Sequence, residues 1–185
     1  IGLLVEGEDK AVVWRGPLKS AFIRQILAYT SWGELDYLLV DLPPGTGDEQ
    51  LTIAQLISGL DGFLVVTMPN QLSESVVSKA ITFAKLLGVP ILGIVENMSY
   101  FRCPDTGKLH YIFGRGGGER LAKASGAPLL AKLPIDSRAS ETMDRGEPIV
   151  LKYPDSELSK AIASLAEKLV EVVESATGAQ EHMPR

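Results

Sequence analysis

The sequence predicts an α/β fold, a mostly parallel sheet with helices on both faces. Two observations predict it. Three short runs, 37–40, 63–67 and 91–95, are apolar or nearly so along their whole length, and a fourth strand is predicted over 129–133. Strands apolar on both sides are buried on both faces, as in parallel sheets. Amphipathic segments of helical spacing alternate with these runs, the pattern of a sheet covered by helices.

Each element follows from local signals. Residues 1–14 read as a strand, a Gly-Glu-Asp turn and a short strand. Pro17 suits the first position of a helix. Leu18, Phe22, Ile26 and Tyr29 then recur at helical spacing, and Gly33 ends the segment. Tyr37–Val40 is predicted as a buried strand, Thr52–Leu60 as a helix and Phe63–Thr67 as a strand. Ser73 is the predicted cap of a helix that places Val77, Ile81 and Ala84 on one face and stops at Gly88. A strand over 91–95, an irregular loop over 97–113, a helix over 118–125 and a strand over 129–133 follow. Beyond Pro154, Leu158, Ile162, Leu165, Leu169 and Val172 form an apolar stripe. The prediction is one domain over 1–175 and a disordered tail over 176–185.

Composition narrows the function. The 185 residues are 45% hydrophobic and 22% charged, as in an ordinary globular chain with one core. A net charge of −5 argues against coating nucleic acid and against an anionic membrane partner. One cysteine allows no internal disulfide and suits a reducing, cytoplasmic setting. No apolar run approaches a membrane span. The chain opens on Ile1 inside an apolar run, so it reads as N-terminally truncated.

The segment YLLVDLPPGTGDE, 37–49, carries the chemistry. In sheets of this kind, ligands bind outside the carboxyl ends of the strands. Asp41, Thr67, Asn97, Pro134 and Asp136 all follow strand runs and are expected on that edge. A carboxylate ending an apolar strand is costly to bury unpaired. A metal compensates it, and in P-loop NTPases such an aspartate holds magnesium. Gly45 and Gly47 offer bare backbone to a phosphate, and Asp48 could respond to the γ-phosphate or orient water. The bland alternative is an aspartate capping a turn.

The stretches WRGP, WGELDYLLVDLPPGTGDEQLT, VPILGIVENMSYFRCP, IFGRGGGERLA and LPID together resemble the Mrp/Nbp35 (ApbC-type) family. Its members are deviant-Walker P-loop NTPases of SIMIBI type, related to MinD and the nitrogenase iron protein. The resemblance covers Trp14 to about Val150. It implies a homodimer that sandwiches ATP with Mg2+, and a [4Fe-4S] cluster shared across the dimer and handed to apoproteins with cluster assembly factors. By this resemblance Asp41 matches the Walker B aspartate, and 41–48 match the segment that senses the γ-phosphate. Asn97 matches the reader of the adenine edge, and Pro134 falls in the second base-contacting loop. Cys103 matches the first cysteine of the family's cluster motif.

Two departures stand out. No G-x-x-x-x-G-K-[ST] loop occurs; TGK at 106–108 fails, with Arg102 and Leu109 in the wrong places. The family's loop lies upstream of every motif here, so these residues alone are expected to hydrolyse little ATP. The cluster motif reads Cys103-Pro104-Asp105-Thr106, where the family has a second cysteine at the last position. A cluster ligated by four thiolates on a two-fold axis needs two from each chain, so Asp105, His110 or an outside thiol would have to complete it. Otherwise Cys103 is a small apolar loop residue. The run GRGGGER, 114–120, is either an anion nest or a hinge or close-packing loop, and the latter is preferred. The alternative function is a MinD-like nucleotide switch without a cluster. Against it, the last helix carries Glu167, Glu171 and Glu174, unlike a basic interfacial helix.

Overall fold

The computed structural model describes residues 16–181, with side chains to 176. The strands expected within 1–14 lie outside the described residues. Contacts gather into two compact units, 1–60 and 61–185, and each is described by itself.

In the first unit, helix α1 spans Gly16–Tyr29 and helix α2 spans Asp48–Leu56. Pro17 sits in the first turn of α1, as expected. The helix stops at Tyr29, ahead of Gly33, whose φ of +67° marks the turn beyond. The two helices are joined by polar contacts. Lys19 pairs with Glu49 at 2.6 Å, and the Ser20 and Thr52 hydroxyls lie 2.8 Å apart. Helix α2 begins four residues before the predicted start and ends four before the predicted end.

The expected strand at Tyr37–Val40 is not formed. These residues belong to no strand among the described residues, and Leu39 is 83% exposed. An apolar run states what a segment can bury. Strand formation also needs a neighbouring strand to accept its backbone, and none among the described residues does so.

The second unit is the α/β body. Strands β1 (Phe63–Thr67), β2 (Ile91–Arg102) and β4 (Leu129–Pro134) form a parallel sheet with β2 in the middle. The far end of β2 turns back as a hairpin onto β3 (Leu109–His110), antiparallel, with Phe101 opposite His110. Part of the predicted 97–113 loop is therefore strand.

Helix α3 (Gln71–Leu86) links β1 to β2, and α4 (Gly117–Ser125) precedes β4. They cover one face, where Val65 and Ile94 meet Ile81 and Leu121. Val77 packs against this cluster, as the helical spacing predicts. The cap of α3 is Asn70, not Ser73; its side-chain oxygen accepts the Ser73 N–H at 2.8 Å. An asparagine cap satisfies one of the first-turn donors. Helix α7 (Glu157–Glu181) packs on β4 and β2. It runs through 176–181, where a disordered tail is predicted. Short helices α5 (Ser137–Asp144) and α6 (Ile149–Lys152) connect β4 to α7.

Ile94 is fully buried at the centre of the sheet. Ile94→Ala is expected to destabilise the second unit by about 2–5 kcal/mol through lost burial and a residual cavity. Urea denaturation of the two proteins measures it.

Candidate functional site

In the first unit, Asp41, Gly45, Gly47 and Asp48 lie on one connected segment. Gln50, buried at the start of α2, organises it. Its Oε1 accepts the Gly47 N–H at 2.9 Å, and its Nε2 donates to the Pro43 carbonyl at 2.6 Å. One amide thus closes the loop over both prolines and glycines. The signal was the Gly-x-x-Gln spacing at a helix start, a capping-box pattern, and the sequence reading missed it.

This clamp separates the two glycines. The Gly47 N–H is taken up by Gln50, so it does not face a phosphate as expected. Gly45 has φ +110°, and a Cβ there would meet nothing within 4 Å. Gly45 is the bare, open position. Asp41 is exposed rather than buried, so burial cost does not explain it. Asp48 is the first residue of α2, and its carboxylate covers Gly16, where any Cβ would collide with it.

In the second unit, the parallel register places Thr67 beside Glu96 and Pro134 beside Tyr100. Thr67 and Pro134 end β1 and β4 at the carboxyl edge, and Asn97 lies next to the β2 residue that faces Thr67. Asn97 lies within β2, not after it. The ladder is irregular between Glu96 and Tyr100, and Met98 there has φ +53°. Positive φ in a non-glycine residue is strained and recurs at functional sites. The Asn97 Oδ1 accepts the Met98 N–H at 2.9 Å, so its amide NH2 is the group turned to other acceptors. Pro134 is buried at the end of β4, and the next N–H, of Ile135, donates to the Tyr100 carbonyl at 2.7 Å. Asp136 caps α5 and is held by Arg138 at 2.7 Å. That guanidinium keeps the Asp136 carboxyl below its ordinary range.

Glu96 was not singled out from sequence, yet it is almost fully buried. Its oxygens accept the Ser99 hydroxyl at 2.6 Å and the Gly118 N–H at 2.7 Å. The run 114–120 is a close-packing loop. A Cβ at Gly117 would strike the Pro69 backbone at 2.9 Å, and one at Gly118 would strike Glu96 at 2.8 Å. The anion-nest reading fails here for a physical reason: the protein's own carboxylate already occupies the N-terminus of α4.

Cys103 sits at the hairpin turn between β2 and β3 and is half-buried. Its N–H donates to the Lys108 carbonyl at 3.0 Å, and the Gly107 N–H donates to its carbonyl at 2.9 Å. The sulfur is met by the Thr106 hydroxyl, then by the N–H groups of Thr106 and Asp105. These donors hold the thiol below its ordinary pKa, against a smaller opposing effect of burial. Thr106, which departs from the family motif, thus serves the sulfur as a donor. The TGK tripeptide belongs to this turn between two strands. A phosphate-binding loop would lie between a strand and a helix.

Residues 1–170 match the family described as ParA: NUBPL iron-transfer P-loop NTPase. The chain belongs to that family. It is 49% identical, over 95% of its length and 59% of the relative's, to an iron-sulfur cluster carrier protein of Saccharolobus solfataricus. It is 42% identical to the human cytosolic Fe-S cluster assembly factor NUBP2, over 92% of this chain and 64% of that one. A nucleotide-binding protein of Archaeoglobus fulgidus, solved in complex with ADP, superposes with a TM-score of 0.59 at 40% identity, covering 77% of this chain and 60% of that one. MinD of Pyrococcus horikoshii superposes at 0.59 with 22% identity, over 90% of this chain and 63% of that one, a likeness of fold alone. The chain spans about three fifths of the length of the curated relatives it matches. Among the described residues, no helix is long and apolar enough to cross a membrane.

Thr106→Val removes the hydroxyl donor at the Cys103 sulfur. The thiol is then expected to titrate higher, with slower alkylation near neutral pH and equal rates at high pH. Iodoacetamide rates across a pH series measure this.

Proposed function

We propose that this chain is part of an ATP-binding iron–sulfur cluster carrier, which delivers a [4Fe-4S] cluster to apoproteins and couples the transfer to ATP hydrolysis. The observation that carries the reading is the Cys103 turn. A thiol whose sulfur is met by the donors of its own turn, which favour ionisation, sits just past the carboxyl edge of a P-loop NTPase sheet, in a family of iron-transfer proteins. Thiolate is the form that ligates iron.

The nucleotide residues suit the same reading. Exposed Asp41 can hold Mg2+ through the ion's water shell, and Gly45 leaves room for a phosphate to approach the backbone. Asp48, at the head of α2 and against α1, is placed to pass a change at the phosphate to both helices. Gly47 contributes by holding the loop through Gln50. Asn97 and Pro134, on adjacent strands of one edge, suit the base. Bound ATP with magnesium would supply the charge and binding energy that draw two copies together. Cargo, on this reading, is held by Cys103 of each copy in a homodimer. The recipients are apo iron–sulfur proteins and assembly factors of the cytoplasm.

Anaerobic reconstitution with iron and sulfide tests the carrier reading. The chain is expected to gain a brown chromophore that Cys103→Ser abolishes, at about four irons per dimer as a [4Fe–4S] cluster requires. Thr106→Cys, which supplies a second thiolate, is expected to slow the loss of that iron to a chelator. Nucleotide binding with no iron in either the unaltered chain or Thr106→Cys would refute the reading and favour a nucleotide switch. In the full-length protein, Asp41→Ala is expected to abolish magnesium-dependent ATP hydrolysis; unchanged turnover removes the assignment.

A further inference from the structure

Arg102 immediately precedes Cys103. Its guanidinium donates through Nε to Glu157 Oε2 at 2.8 Å and through Nη2 to Oε1 at 2.9 Å. The Tyr100 hydroxyl donates to the same Oε1 at 3.0 Å. A third guanidinium nitrogen, Nη1, reaches the Gly107 carbonyl on the far side of the cysteine turn at 3.3 Å. One planar fork therefore ties together the strand before Cys103, the turn after it and the first residue of α7. The two-point geometry fixes orientation as well as distance, which a lysine would not do.

The support continues past Glu157. Its neighbour Ser156 donates its N–H to the Tyr153 carbonyl at 3.0 Å. The Tyr153 ring lies 4.8 Å from the Arg138 guanidinium, and Arg138 is itself bidentate to Asp136 at 2.9 and 2.7 Å. A cleft of about 460 Å³ is lined by Arg138, Tyr153, Ser156 and Glu157. The loop that follows Pro134 at the end of β4 and the Cys103 turn thus lean on one short segment, 153–157.

We propose that Glu157 is the positioning residue for Cys103, holding its turn through Arg102 and joining that turn to the 134–138 loop through segment 153–157. This rests on the cluster-carrier reading. The proposed coupling gives the base-contacting loop a physical connection to the cysteine, through two ion pairs and one cation–π contact that share a support.

The test compares the unaltered chain with Glu157→Gln, Arg102→Met and the charge-swapped pair Arg102→Glu with Glu157→Arg. Amide hydrogen exchange, Cys103 alkylation at one fixed pH and iron loss to a chelator after reconstitution are read on each. Both single variants are expected to speed exchange over 103–109 by about fivefold, the worth of a well-formed, partly exposed pair. Exchange over 135–139 is expected to rise with it, while that of β1 stays unchanged. Alkylation and iron loss are expected to quicken, and the swapped pair to recover part of each. Unchanged exchange over 103–109 in both single variants overturns the positioning role. Faster exchange there with alkylation unchanged also overturns it, since the thiol would not depend on the clamp. Unchanged exchange over 135–139 overturns the coupling. An unaltered chain that takes up no iron refutes the carrier reading instead, and exchange with alkylation then decides the positioning role alone.

Discussion

The second unit depends on a buried carboxylate. Glu96 lies in the central strand with almost no exposure, and a polar side chain so placed costs free energy unless it is bonded. Ser99 and the backbone of Gly118 supply the bonds. Helix α4 must therefore start against β2, and Gly117 and Gly118 must lack side chains for the head of α4 to meet the loop after β1 and Glu96 of β2 there. The positive end of the helix dipole adds to the compensation. Asn97, the next residue, departs from the regular ladder at a point the carboxylate has pinned on one side.

Short polar ties of the same kind shape the other sites. Gln50 closes the PPGTG loop with one amide, using its oxygen on Gly47 and its nitrogen on Pro43. Thr106 and two backbone N–H groups surround the Cys103 sulfur. Arg102 bridges the cysteine turn to α7. These are contacts of polar groups with backbone or with a single partner, and they order loops that have no apolar core of their own. On the proposed function these ties have a common use, since a segment that answers to nucleotide and a thiol that holds iron would both need defined positions.

Much of the fold was legible because apolar period and burial agree. Phe63–Thr67 pairs on one side only among the described residues, yet its run sufficed, and α3, α4 and α7 follow their stripes. The prediction failed at Tyr37–Val40, where an equally apolar run joins no sheet among the described residues, and at 97–113, where a hairpin of mixed residues carries no clear two-residue period. Among the candidate residues, Asp41 and Gly45 in the first unit and Asn97, Pro134 and Cys103 in the second were readable as residue types in a motif. Gln50, Glu96 and Glu157 were not, because each acts on a partner that composition and spacing do not name.

The sequence by itself determined the fold class, the family and the short runs that hold its chemistry, because apolar periodicity and motif spacing are local properties of a chain. Only the tertiary structure decided which bonds those runs make. It committed the Gly47 N–H to Gln50, filled the head of α4 with Glu96, and joined Arg102 to a glutamate 55 residues away. The physical reason is that a hydrogen bond is set by distance and direction in space, and residues far apart in sequence acquire both only when the elements pack.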